Sequence, residues 1–283
     1  MAFVAALARE KLLITARTLP AAPQILSELG EMLQDVNTSL DEISNLLKRD
    51  AALAARIIRI SNSALLGGGS RIGSVEEAVN RVGFGEVYRL VGLATTSRLA
   101  DRDLNYYLIE AEPLRHHMLY VALATEALAK DLGMDARSAY TAGLLRPLGM
   151  MVLDRVARER LPITEAFNAG SYDGYATWEG NVFSLSNCEV AALILGEWKF
   201  PAEIVSAVRE HYLMRPADAN NPLACVLNVA CWMAGQARAG LPGELPYFAL
   251  KPQICEKIGC PEPRLREIAA DVAVEFERLK PSL

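Results

Sequence analysis

Apolar residues recur three and four positions apart along most of the chain, the spacing that lines one face of an α-helix. Ile25, Leu26, Leu29, Met32 and Leu33 form one such stripe, Ile43, Leu46 and Leu47 a second, and Leu53, Ile57 and Ile60 a third. The every-second-residue alternation of a half-buried strand is scarce, so the pattern predicts an all-α protein. Helix starts are marked by Ser39 with Glu42, Ser74 with Glu77 and Ser186 with Glu189, pairs in which the serine caps a backbone N–H and the glutamate reaches back. Pro23, Pro113, Pro201 and Pro222 suit first helical turns, and Gly83 and Gly133 suit the residue just past a helix end.

The helical pattern breaks at 101–113, a polar stretch with Asn105, Tyr106 and Tyr107. Two lobes are therefore expected, an N-terminal helical lobe over 1–106 and a C-terminal lobe over 107–283. Segment 169–184, rich in Gly, Tyr, Asp and Asn, reads as a surface excursion, and 240–246 as a further loop. A terminal helix is predicted over about 263–280 with Ile268, Val272 and Phe276 on one face. Residues 1–16 carry a short stripe, Phe3, Val4, Leu7, Leu12 and Leu13, that suits a helix docked on its own core or one continuing from a preceding domain.

Composition narrows the function classes. Of 283 residues, 52% are hydrophobic and 22% charged, ample material for a folded globular core. No apolar run approaches the roughly 20 residues that cross a bilayer, and the apolar start lacks a basic leader, so a cytoplasmic location is expected. The net charge of −5 gives no strongly basic surface of the kind that draws phosphate backbones, and no direct nucleic-acid binding is expected. Five cysteines, Cys188, Cys225, Cys231, Cys255 and Cys260, lack zinc-finger spacing and read as buried free thiols.

Several small motifs reduce to structure. Gly67-Gly68-Gly69-Ser70-Arg71 lacks the Lys-Ser/Thr of a phosphate loop, Gly83-Phe84-Gly85 lacks the third glycine of a dinucleotide fingerprint, and Ser61-Asn62-Ser63 reads as a helix terminator. Only three histidines are present, His116, His117 and His211, and none has a nucleophile partner in local sequence.

Five passages together resemble one family. They are Leu19-Pro20-x-x-Pro23; the stretch from Asp50 to Ala64; Ser74 to Gly83; Gly143-Leu144-Leu145-Arg146-Pro147-Leu148-Gly149; and Glu189 to His211 with Trp198-Lys199-Phe200-Pro201. In this order and spacing they resemble the HDOD family, HD-related output domains of bacterial signalling proteins. The resemblance implies an HD-like helical core in the C-terminal lobe, and a junction between lobes fixed partly by the Ser61-Asn62-Ser63 triplet.

It also implies where a metal site would have been. HD phosphohydrolases carry an adjacent His-Asp pair within a Gly-Leu-Leu-x-x-x-Gly frame, where this chain has Arg146-Pro147, 29 residues after His117. Arginine offers a cation no lone pair and proline no side-chain ligand. By the same resemblance His117 matches a retained first ligand, Asn187 replaces a histidine, His211 retains one imidazole of a frequent pair, and Cys231 stands where a closing aspartate is common. The expectation is two imidazoles without anionic ligands, no metal, no cofactor and no phosphohydrolase activity.

Two functions remain. The first, implied by the resemblance, is a non-catalytic signal-transduction output module, for example that of a two-component response regulator with an upstream receiver domain, that acts through contact with a protein partner. Its responsive region would be the junction of the lobes and the degenerate cleft. The second is a sensor that binds a nucleotide or cyclic dinucleotide without hydrolysis, in a cleft lined by His117, Arg146, Asn187, His211 and Cys231 with Arg146 as the anion clamp. His116 and His117 point about 100° apart on a helix, so one of them is expected outside the site.

Overall fold

The computed structural model describes residues 9–19, 22–35, 37–62 and 72–283. Phe3, Val4 and Leu7 of the N-terminal stripe, Pro20, Ser63, Ala64 and the glycine run 67–71 lie outside the described residues. The described chain is all-α: fifteen α-helices and four 3-10 turns, with one isolated antiparallel bridge between Leu104 and Ile109. Among the described residues no helix is long and apolar enough to cross a membrane.

The chain forms two compact units, divided differently from the lobes expected. The described residues up to Leu19 together with Ala100–Phe276 form one, and those from 22 to Leu99 with Glu277–Leu283 form the other. The polar break at 101–113 thus opens the larger unit. The helical stripe of 9–16 belongs to that unit too, because Leu12 and Ala16 are buried in it.

The smaller unit holds α2 (Ala22–Met32), α3 (Leu40–Lys48), α4 (Ala51–Ser61), α5 (Val75–Val82) and α6 (Phe84–Leu99). The predicted stripes are its core, with Leu29, Ile43, Leu47, Leu53 and Ile57 fully buried. Ser39 and Glu42 form the expected reciprocal cap. Ser74 accepts from the Glu77 N–H as expected, but the Glu77 carboxylate accepts from the Gly73 N–H instead of from Ser74. Asn62 ends α4: its amide nitrogen donates to the Ile58 and Ile72 carbonyls, and its oxygen accepts from the Ile72 N–H. One side chain therefore closes a helix and pins the segment entering the next.

The larger unit holds α1 (Arg9–Ala16), α7 (Ala111–Asp131), α8 (Ala136–Leu145), α9 (Leu148–Arg160), α10 (Tyr175–Phe183), α11 (Asn187–Glu197), α12 (Ala202–Glu210), α13 (Pro222–Gln236), α14 (Pro252–Ile258) and most of α15 (Glu262–Leu279). Helix α7 packs on α8 and α13, and α11 packs on α9 and α12. The predicted terminal helix is present, with Ile268, Val272 and Phe276 buried. All five cysteines are free thiols; four are buried and Cys255 is partly exposed.

Two segments read as surface loops contain buried structure. Within 169–184, α10 buries Tyr175, Trp178 and Glu179, and the Trp178 ring meets Tyr107 edge-on at 4.9 Å. Within 240–246, the 3-10 turn Pro242–Tyr247 buries Gly243 and Glu244. Composition misleads here because Gly, Asp and Asn at the flanks outweigh a few large side chains whose burial only the tertiary fold determines.

The two glycines that frame Gly-Leu-Leu-Arg-Pro-Leu-Gly have a packing cause. A Cβ on Gly143 would lie 2.4 Å from Thr125 Oγ1 and 2.8 Å from the Ala122 backbone, and one on Gly149 would lie 1.9 Å from the Asn187 carbonyl oxygen. Backbone meets backbone at both ends of the turn that carries Arg146. Gly149→Ala is expected to destabilise the protein by about 3 kcal/mol or more, since neither helix can move without disturbing the core. Gly196→Ala, inside α11 with open space at its Cβ, is expected to stabilise it by roughly 0.5–1 kcal/mol. Denaturant midpoints of the two variants should move in opposite directions.

Candidate functional site

The end of α8 delivers Arg146 into the centre of the larger unit, where its side chain is fully buried. Three elements converge on it. Helix α7 brings His117, the end of α12 brings His211 and Tyr212, and the 3-10 turn Pro242–Tyr247 brings Glu244. Arg146 Nη1 donates to Glu244 Oε1 at 2.5 Å and Nη2 to Glu244 Oε2 at 2.8 Å, a bidentate pair. The same two nitrogens also meet imidazole: Nη1 lies 3.1 Å from His211 Nε2, and Nη2 contacts His117 Nε2. The Phe248 ring lies 5.8 Å from the guanidinium carbon.

Backbone carbonyls set the tautomer of both histidines. His117 Nδ1 lies 2.7 Å from the Ala239 carbonyl and His211 Nδ1 2.7 Å from the Val208 carbonyl, so each ring donates from Nδ1 and turns the Nε2 lone pair to Arg146. Burial, reinforced by the neighbouring guanidinium, holds both imidazoles well below their ordinary 6.5. Both are neutral at pH 7, with their nitrogens fully engaged.

Further hydrogen bonds fix Glu244. Tyr212 donates its hydroxyl to Glu244 Oε1 at 2.5 Å and accepts from Asn187 Nδ2 at 3.0 Å. Asn187, at the start of α11, also gives Nδ2 and its backbone N–H to Glu179 of α10, and the Tyr107 hydroxyl donates to Glu179 Oε1 at 2.6 Å. Glu179 is thus fully buried among neutral donors. Desolvation pushes its carboxyl up to about 7, with the Glu244 charge adding to the rise.

The five predicted site residues divide as follows. His117, Arg146 and His211 are in direct contact, while Asn187 reaches Glu244 through Tyr212. Cys231 is buried on α13, its thiol pushed up to about 12 by burial against the opposing pull of Arg146. His116 is the outward member of its pair, 3.8 Å from Glu112 on its own helix. Arg146 does not clamp an anion at an open cleft as expected: it has no exposed surface and Glu244 already satisfies both terminal nitrogens. A buried carboxylate, Glu244, is nevertheless present in the cluster, as the counter-ion of Arg146.

Sequence reasoning missed Glu244, Glu179 and Tyr107. Spacing gave no sign of Glu244, but it is the single charge among the ten residues 241–250, the other nine being Leu, Pro, Gly, Tyr, Phe and Ala. A lone carboxylate in such a stretch has to be paired if buried.

A divalent cation of the HD type does not fit these residues. Both Nε2 lone pairs and both Glu244 oxygens face a fixed positive charge. Among the described residues, no three His, Cys, Asp or Glu side chains are grouped to hold a metal ion. Neither imidazole has a free nitrogen to serve as a general base.

Beside this network lies a cavity of about 580 Å³ lined by Ser186, Cys188, Arg209, Tyr212, Met214 and Arg215 among others. Tyr212 and Cys188 belong both to its wall and to the buried cluster. Its two arginines are paired locally, Arg209 with Glu210 at 2.9 Å and Arg215 with Asp218 at 2.7 Å.

Two outcomes follow from the electrostatics. Glu244→Gln leaves the Arg146 charge buried without a counter-ion and is expected to lower stability by about 3–5 kcal/mol, read from denaturant unfolding. The pH dependence has two opposing parts. His117 and His211, with depressed values in the folded state, contribute stability that is present above 6.5 and lost as pH falls. Glu179, with a raised value, contributes stability that is present below 4.5 and lost as pH rises through about 7. Between pH 4.5 and 6.5 acidification therefore destabilises the protein through the two histidines while Glu179 opposes them. Glu179→Gln removes that opposition and should make the loss of stability on acidification steeper, read from denaturant midpoints across this range.

Comparison with known proteins agrees with this architecture. The chain is 26% identical over 235 residues to an uncharacterized protein of Treponema pallidum (strain Nichols), covering 81% of this chain but 44% of that one, so it spans less than half that relative's length. Among solved structures, an HDOD domain protein of unknown function from Geobacter sulfurreducens superposes with a TM-score of 0.68 at 20% identity, over 96% of this chain and 97% of that one. A protein of Shewanella amazonensis SB2B, provisionally named a phosphohydrolase, gives 0.64 at 24% identity over 96% and 98%. One of Marinobacter aquaeolei VT8, provisionally named a signal transduction protein, gives 0.64 at 18% over 97% and 63%. The HDOD domain profile matches residues 19–214, more than two thirds of the sequence and most of both compact units. The chain belongs to the HDOD domain family.

Proposed function

We propose that this chain is a non-catalytic signal-transduction module that acts through contact with a protein partner. The observation that carries the reading is the Arg146 guanidinium, which takes up the imidazole and carboxylate lone pairs that metal-assisted hydrolysis would need. The name given to the Marinobacter protein is consistent with a signalling role. An input, such as a receiver domain elsewhere in a longer protein, would act by favouring one of two arrangements of the helical scaffold, to the extent of its differential affinity for them.

A second reading rests on the cavity beside Tyr212. A nucleotide or cyclic dinucleotide sensor would use Arg209 and Arg215 as its anion contacts in place of the sealed Arg146, and Tyr212 would relay occupancy to Glu244. The pairing of both arginines with neighbouring acids makes this the weaker reading, because a phosphate must displace Glu210 and Asp218.

Purified protein is expected to release no product from phosphodiesters or cyclic dinucleotides with Mg²⁺, Mn²⁺ or Ni²⁺. Turnover that Arg146-intact protein sustains and His117→Ala abolishes would sink the non-catalytic reading. Thermal unfolding with a nucleotide panel is expected to show no shift. A reproducible rise that disappears in Arg209→Ala/Arg215→Ala would select the sensor instead.

A further inference from the structure

The short helix α14 ends in a turn that brings two of the five thiols together. Gly259 lies just past the helix end with φ 70° and ψ 23°, the left-handed conformation that glycine adopts most readily. Its N–H donates to the Glu256 carbonyl at 3.1 Å, and the Cys260 N–H reaches back to the Cys255 carbonyl at 3.1 Å. These two bonds define a Schellman cap, in which the residues joined by the longer-range bond, here Cys255 and Cys260, commonly pack side chain to side chain. The cap does not require sulfur for this, since any two apolar side chains can make the contact.

The backbone alone limits how far apart these cysteines can be. A path from Cys255 Cα through its carbonyl oxygen, the 3.1 Å bond and the Cys260 nitrogen to Cys260 Cα spans about 7 Å at most, and it bends at both oxygen and nitrogen. Disulfides join Cα atoms roughly 4.4–6.8 Å apart. Burial raises both thiols above their ordinary value, and the charge of a Cys255 thiolate would raise Cys260 further, a mark of their closeness. Their exposure differs: Cys255 is partly exposed and Cys260 is buried, so a reagent from solution meets Cys255 first. The other three thiols, Cys188, Cys225 and Cys231, are buried on α11 and α13.

We propose that Cys255 and Cys260 form a reversible dithiol–disulfide site whose substrate is a low-molecular-weight disulfide of the glutathione disulfide class. The Cys255 thiolate attacks one sulfur of that disulfide, forming a mixed disulfide and releasing one thiolate. The Cys260 thiolate then attacks Cys255 Sγ, closing the Cys255–Cys260 bond and displacing the second thiolate. Two electrons pass from the protein to the oxidant, and the protons of the two cysteine thiols end on the two small thiols released. The bond fixes the cap covalently and ties the last turn of α14 to the entry of α15. The proposal does not rest on the signalling reading, which fails on turnover, whereas this one fails on the chemistry of two thiols.

The test incubates the full, folded and fully reduced chain with glutathione disulfide, then blocks the remaining thiols with iodoacetamide in denaturant. Trypsin cuts after Lys257, between the two cysteines, so mass spectrometry of the digest reads the bridge directly. The expected result is the Cys255 and Cys260 peptides joined, lighter by the pair of hydrogens lost, with Cys188, Cys225 and Cys231 alkylated. Dithiothreitol given before the block should return both cysteines to the alkylated form. Cys260→Ser should stop at a Cys255–glutathione mixed disulfide, and Cys255→Ser should leave Cys260 alkylated. A Cys255–glutathione adduct that persists in the unaltered chain would overturn the proposal. So would a link between another pair of cysteines in place of this one, or both thiols still free in the folded protein once the denatured chain has oxidised fully under the same conditions.

Discussion

Burying a guanidinium with no exposed surface is among the most demanding things a protein interior does, and the larger unit is organised around that requirement. Solvation lost on burial is recovered only if every polar atom nearby has a partner and the charge has a counter-ion. Glu244 supplies the counter-ion, His117 and His211 accept the remaining hydrogens, and Tyr212 and Asn187 fix the carboxylate. One atom is left out: Arg146 Nε is buried without a hydrogen-bond partner. The helices that meet here therefore share one electrostatic constraint in addition to their apolar packing.

Backbone packing sets a second constraint on the same turn. Gly143 and Gly149 bracket Arg146-Pro147, and each is needed where backbone of another helix leaves no space for a Cβ. Those contacts depend on helix crossing and not on what the intervening turn holds. A buried charge can be carried in that turn without disturbing the crossing, provided it is neutralised. Arg146 meets that condition through a residue outside the frame.

Much of the fold was legible because helical periodicity is local. The stripes at 25–33, 43–47 and 53–60, the caps at Ser39 and Ser186, and the face of Ile268, Val272 and Phe276 depend on residues within two turns of each other. His117, Arg146 and His211 could be singled out because the family pattern fixes their spacing. Glu179 and Glu244 could not, since each lies in a segment whose Gly, Pro and Asn content reads as a loop, and each gains its role only from partners far along the chain. The compact units also divide the chain differently from the expected lobes: the described residues up to Leu19 join Ala100–Phe276, and Glu277–Leu283 join the unit that runs to Leu99, and periodicity carries no information about such crossings.

Arg146 and Glu244 are 98 residues apart in sequence. The pair closes a long loop, and the entropy of that closure is offset only when both ends are held by their own helical packing. Until the 3-10 turn at 242–247 docks, the cation must stay hydrated, and once it docks the two charges lose water together. The short segment carrying Glu244 therefore acts as the keystone whose release would leave the buried arginine without its counter-ion.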